Sequence, residues 1–570
     1  MTRIPDGRSP LALRRIHPPL VTALPVVLRT TIAPLAIVAL LATVAPLPAQ
    51  GGGATGDGVP QMFSVAAPCM ACHNGLASPT GEDISFGTDW RPSMMANAAR
   101  DPYWQAAVRR ETMEHPGAAG AIQDECSKCH MPMAQFQVHA TGQEFEAFGR
   151  LPWQTADGRL AALAADGVSC TMCHQIEAEG LGEEETFTGG FHVDTRTPLG
   201  ERSVYGPYDV PQGSARAMLS SGLFQPTQST HVQRAELCAS CHTLYTHARN
   251  ARGEVVGELP EQMPYLEWLN SDYPGQQDCQ SCHMPAVRGE TPISSTLPTP
   301  RPDVNRHVFR GGNFFMPRVF NAYRDELAVQ ALPAELELMA FRTREHLRNE
   351  AARVRVGEPS MGEDGLLEFD VEVRNLAGHK LPTAYPSRRA WLHVVVTDAS
   401  GRALFESGAL RPDGSIVGND NDVSADRYER HHTVIREPDQ VQVYEAIMVD
   451  GDGRVTTGLL KGVRFTKDNR VLPTGFDKAG ADPDVAVNGE AVDDGDFAAG
   501  SDRVRFEVDA AGAARPLEVT VELWYQPIAF RWAHNLADFE ALETDRFVRY
   551  YEALSDSTAM MLARASRAVD

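Results

Sequence analysis

From about residue 355 onward, apolar and polar positions alternate with a period of two. Phe369, Val371 and Val373 alternate with Asp370, Glu372 and Arg374, and Val504, Phe506 and Val508 alternate with charged neighbours. Leu517, Val519, Val521 and Leu523 repeat the pattern. Such alternation marks strands with one face on a core. With Trp391–Thr397 as a more buried strand, residues 356–530 predict an antiparallel β-sandwich carrying acidic loop insertions. From Arg531 to Leu554 the spacing of Leu536, Phe539, Leu542 and Phe547 is helical, so a C-terminal helix is expected over 531–570.

The chain before residue 330 reads differently. Apolar runs are short and prolines and glycines frequent, which predicts short helices and loops from 65 to 330. Asp101-Pro102 supplies a cap and first turn for a helix running through Trp104, Val108 and Glu111 to His115, where Pro116 stops it. A second helix, from Pro333 to about Arg348, places Leu336, Met339, Ala340 and Leu347 at helical spacing and bridges the two regions over 331–355.

The first 49 residues carry five arginines against one aspartate. They then run apolar from Ile32 to Ala45 and end in Leu47-Pro48-Ala49. That is the layout of a cleaved export signal, with 50–64 as a linker. The 14-residue apolar run contains Pro34 and falls short of the roughly 20 residues that span a bilayer. No stable membrane span is expected elsewhere. Losing five arginines and one aspartate takes the net charge from −23 to −27, which argues against nucleic acid or an anionic membrane surface as partner.

All ten cysteines follow one pattern: Cys69/Cys72-His73, Cys126/Cys129-His130, Cys170/Cys173-His174, Cys238/Cys241-His242 and Cys279/Cys282-His283. A disulfide framework gives no reason for a histidine after every pair, and a zinc site does not require it to be adjacent. The spacing suits c-type haem attachment, in which two thiols form thioethers to the haem vinyl groups and the next histidine ligates the iron. Five covalent haems (heme c) are therefore expected.

Around these motifs the chain resembles the multihaem cytochrome c superfamily, in particular secreted electron-transfer cytochromes in which a β-rich domain follows the haem segment. The resemblance is carried by "DWRPSMMANAARDPYW" (89–104), "ECSKCHMPMA" (125–134), "DGVSCTMCHQI" (166–176), "CHTLYT" (241–246), "CQSCHMP" (279–285), "RHVFRGGNFF" (306–315) and "GHKLPTAYPSRRAWLHV" (378–394). It implies an α+β chain with a haem-wrapped, mostly short-helix domain at 65–330, electron transfer among closely stacked haems, and a periplasmic or extracellular location. Redox proteins, other cytochromes or further copies of the chain in a filament are the implied partners.

Each iron needs a second axial ligand, and that ligand separates an electron relay from an enzyme with an open iron. His115, His139, His192, His231 and His307 are the candidates within the haem segment. His247, five residues beyond its own proximal ligand, is the weakest histidine there. Gly311 and Gly312 beside His307 let the backbone approach a flat macrocycle, and the family likeness also favours a ligand at that position. His379, in a turn-rich loop of the second region, is a further candidate on the strength of the resemblance. Met94, Met95, Met131, Met133 and Met284 are near enough in sequence to be alternatives, although Met131 and Met284 read as packing against the porphyrin.

Electron transfer is thus the leading reading, with no catalytic residue assigned. An oxidoreductase acting on a small nitrogen or sulfur compound at one open haem, and a filament subunit, are the alternatives. The acidic loops "GNDNDVSAD", "VDGDGR" and "AVDDGDFAAGSD" read first as solvated turns and only second as calcium sites, since none matches a full twelve-residue calcium loop.

Overall fold

In the computed structural model the described residues are 61–570, apart from 152, 154–156, 251 and 499. The export signal and most of the linker lie outside them. The described residues belong to one compact unit, and the architecture is α+β.

The alternating segments form two facing sheets. The larger has seven strands, with Arg389–Thr397 at its centre paired antiparallel to Leu517–Gln526 on one side and to Val443–Val449 and Ala403–Ser407 on the other. The smaller has five, with Leu366–Asn375 between Ser501–Asp509 and Ala352–Val356. All of these pairs are antiparallel. Only the short Val434–Ile435 joins in parallel, along Ser501–Asp509.

The register places alternate residues inside. Val371 lies opposite Val504 and Phe369 opposite Phe506, whose rings stack 5.2 Å apart. These side chains are almost wholly buried together with Val394, Val396, Val519 and Val521. Close packing of this kind is what period-two alternation encodes.

One expectation is corrected at the C-terminus. Helices cover Phe530–His534 and Leu542–Ala553, but Met560–Val569 is a strand that pairs antiparallel with Leu517 to Tyr525 of the preceding strand. The alanine-rich "MMLARASRAV" carries no strong period of its own; an edge left open on its neighbour decides its state.

Before residue 352 the helices are short and mostly wrap. Gln212–Gly222 has no buried residue at all, so it is not held by a conventional core. Pro102–Glu114 is among those that do bury a face, and it is started by Asp101, whose carboxylate accepts from the Tyr103 and Trp104 backbone N–H groups. This helix runs against Leu542–Ala553, where Arg109 makes a two-pronged ion pair with Glu543 at 2.8 and 3.1 Å. Pro333–His346 passes through a π turn at Leu347–Ala351 into the first strand of the smaller sheet.

Candidate functional site

Each Cys-x-x-Cys-His motif sits on or directly after a helical turn: Ala67–Met70, Ala119–His130, Cys170–Cys173, Ala235–His242 and Cys279–His283. One helical turn brings the first and fourth residues to the same face and sets the fifth beside them. The His73 and His174 backbone N–H groups donate to the Cys69 and Cys170 carbonyls at 3.0 Å, closing that turn. All ten cysteines are half-buried and none pairs in a disulfide.

The five motifs open on one cavity of about 1130 Å³, lined by all five motif histidines and by every cysteine except Cys72. That exceeds the roughly 300–1,000 Å³ of ordinary ligand pockets. The ring of His73 hydrogen-bonds through Nδ1 to the Ile293 carbonyl at 2.6 Å, and His130 does so to Ala98 at 3.0 Å. His174 is held by Tyr205 at 2.6 Å and His283 by Arg310 at 2.5 Å. A carbonyl can only accept, so Nδ1 carries the proton and Nε2 keeps its lone pair, the form in which imidazole ligates a metal. Burial pushes His130 and His283 down to about 4, and it lowers His73, His174 and His242 as well, which keeps the rings neutral.

Two further histidines stand opposite motif histidines. His307, with Nδ1 on the Asn305 carbonyl at 3.2 Å, has its ring 6.3 Å from that of His174, and the planes differ by 16°. His379, with Nδ1 on the Lys380 carbonyl at 2.9 Å, lies 6.2 Å from His283 at 15°. Two imidazoles sharing one metal through bonds of about 2.0 Å have ring centres about 6.3 Å apart. The donor set therefore suits a six-coordinate iron at both places.

A buried ion network holds the His379 loop. Lys380 Nζ lies 2.6 Å from Asp468, Arg470 pairs with Asp468 at 2.7 Å and with Glu267 at 2.8 Å, and Glu267 accepts the Lys380 backbone N–H at 3.1 Å. Burial alone would raise the Asp468 carboxyl, but Arg470 and Lys380 reverse this and hold it far below the usual carboxylate range.

The other predicted ligands are placed elsewhere. His139 is more than half exposed and lies 3.3 Å from Asp124. His192 is exposed in a small acidic hollow with Glu177, Glu179 and Asp194. His231 spends both nitrogens on hydrogen bonds, Nδ1 with Ser229 Oγ at 2.7 Å and Nε2 with the Ile176 carbonyl at 2.8 Å, so it offers an iron no lone pair. His115 ends its helix as expected and is buried, with neither ring nitrogen bonded, but it does not line the cavity. None of these four histidines lines the cavity, although His231 lies between the third and fourth motifs. His247, paired with Glu258 at 3.3 Å, lies at the cavity's half-exposed rim.

Sequence reasoning missed His346. It lines the cavity with its ring 5.8 Å from His283, has Nδ1 3.0 Å from Glu350, and is pushed down to about 3 by burial and by His283. Met339, Thr343, His346 and Leu347 fall on one helical face turned to the cavity, and a histidine on that face was the available signal.

In the sandwich, His431, Asp494 and Asp502 offer ligand atoms within 4.8 Å of one another. Yet His431 Nδ1 accepts from the Gln442 and Asn469 side-chain amides at 2.9 and 3.1 Å, so Nε2 bears the proton and donates to Asp494 at 2.9 Å. The Gln442 and Asn469 oxygens are fixed in turn by the His432 and Glu445 backbone N–H groups. The histidine is satisfied without a cation.

No protein-family model and no curated protein matches the chain. Among solved structures it is similar to a penta-heme cytochrome c552 from Thermochromatium tepidum, with 15% sequence identity and a TM-score of 0.47, over 89% of this chain and 99% of that one.

Proposed function

We propose that the chain is an exported electron-transfer protein holding five c-type haems. The observation that carries this reading is that five Cys-x-x-Cys-His motifs use every cysteine and that all five histidines line one cavity. Bound haem supplies one-electron exchange between ferric and ferrous iron. The protein's part is fixation: cysteines at adjacent helical positions anchor each macrocycle, and carbonyls on Nδ1 set four of the proximal rings. His307 and His379 would supply the second ligand to the irons held by His174 and His283. His346 competes with His379 for the second place, but its tilted ring suits it less. Among the described residues no helix is long and apolar enough to cross a membrane. Redox proteins are the partners this reading implies.

An electrochemical titration of the purified holoprotein tests it. Five one-electron equivalents with low-spin spectra at the His174 and His283 sites are expected. A protein that takes up no electrons contradicts it.

A further inference from the structure

The fifth motif faces two further histidines, and they reach it from different parts of the chain. His379, on a loop of the sandwich region, has its ring 6.2 Å from that of His283 with the planes 15° apart. His346, the last residue of the bridging helix, has its ring 5.8 Å away at 67°. A haem iron takes two axial ligands, and the motif histidine is already one. One place therefore stands before two imidazoles. His174 differs, since among the described residues the one imidazole stacked opposite it is that of His307.

A continuous set of hydrogen bonds ties His346 to this motif. The Arg310 carbonyl accepts from His283 Nδ1 at 2.5 Å, Arg310 Nε donates to the Cys282 carbonyl at 2.9 Å, and Arg310 Nη2 donates to Glu350 Oε2 at 2.9 Å. The same Glu350 oxygen accepts from His346 Nδ1 at 3.0 Å. An ionised carboxylate can only accept, so His346 carries its proton on Nδ1 and keeps the lone pair on Nε2, the form that ligates a metal. Glu350 lies on the π turn Leu347–Ala351, a wide turn found frequently at functional sites.

The two rings differ in what stands behind them. His379 donates to the neutral carbonyl of Lys380, whereas His346 donates to a carboxylate, and a carboxylate behind a ligating imidazole raises its basicity. Ring orientation thus favours His379, and donor strength favours His346.

We propose that His346 is a reserve axial ligand for the haem held by Cys279, Cys282 and His283, taking the iron when His379 leaves it. This rests on the pentahaem reading. In the exchange the bond from His379 Nε2 to iron breaks and one from His346 Nε2 forms. Each ring keeps its Nδ1 proton, so no electron or proton is gained or lost. Because one ligand belongs to the sandwich region and the other to the bridging helix, the iron stays six-coordinate when the His379 loop shifts.

Spin resonance of the ferric holoprotein tests this, after the mass of the peptide carrying Cys279 and Cys282 has shown its haem. His379→Ala is expected to leave that haem low-spin, with its signal shifted because the ligand rings meet at a different angle. Adding His346→Ala is expected to turn the same haem high-spin, while His346→Ala alone leaves the parent signal. Asp468→Asn, which loosens the His379 loop and keeps both histidines, offers a second route. It is expected to move part of that haem into the shifted signal, and His346→Ala in that background to turn that part high-spin. A high-spin haem in His379→Ala, or in Asp468→Asn with His346 intact, overturns the reserve ligand and leaves the pentahaem reading standing. So does a double variant that stays low-spin. A peptide without haem overturns both.

Discussion

The region before residue 352 and the region after it are built on opposite terms. In the sandwich, Phe369, Phe506, Val371 and Val504 interlock across paired strands, and the core is protein against protein. In the motif region, helices of four to fourteen residues surround a cavity, and one of eleven residues buries nothing. The difference teaches where each region's stability resides. Alternating valines and phenylalanines make a sheet pair that specifies itself, whereas the motif region, with its own smaller core around Trp104, Ile122, Met131 and Phe145, is arranged about the cavity onto which its motifs open.

Removing a covalent anchor should break this contrast most strongly. Cys170→Ser with Cys173→Ser is expected to lower the mass by one haem and to cut the yield of folded protein several-fold, read by intact mass and by near-ultraviolet dichroism. A variant that folds normally with one haem fewer would put the two regions on equal terms. Phe506→Ala should cost about 3–5 kcal/mol, from lost burial and the resulting cavity, and leave the haem spectrum unchanged. Denaturant unfolding followed by tryptophan fluorescence measures the first, and absorbance the second.

The next test sits where the regions meet. Breaking a buried ion pair on one side costs about 3 kcal/mol or more, so Asp468→Asn should loosen the His379 loop and broaden the low-spin signal of one haem. The pH dependence follows from the sign of the shift. The Asp468 carboxyl is depressed in the folded chain, so its contribution is present above an unfolded carboxylate value of about 3.9 and is lost as pH falls below it. Stability of the parent should therefore drop below about pH 4 with a component that Asp468→Asn lacks. The smallest effect belongs to His231→Ala. It should cost about 1–2 kcal/mol for two hydrogen bonds and change no haem signal, in contrast to His307→Ala, which should turn one low-spin haem high-spin.

The two regions also differed in how far their residues disclosed them. Strands such as Leu366–Asn375 and Ser501–Asp509 were legible because period two is a local property. The closing strand Met560–Val569 was not, since its state is set by a partner edge more than thirty residues away in sequence. Among the site residues, the motif cysteines and histidines are legible because attachment chemistry fixes their spacing. Opposing histidines are legible only in part: His307 and His379 stand out in the sequence, but they come from distant segments, and proximity in sequence equally favoured His139, His192 and His231 over His346. What separates them is which nitrogen is already engaged, as Ile176 engages His231, and that is visible only in three dimensions.

The central claim is that every cysteine pair carries a haem. Intact mass of the denatured, reduced holoprotein tests it most directly, because thioether-bound haem survives denaturation and acid extraction. The account predicts a mass greater than the polypeptide by five haems. A mass lacking any of the five, or haem that extracts into acidified solvent, would contradict it.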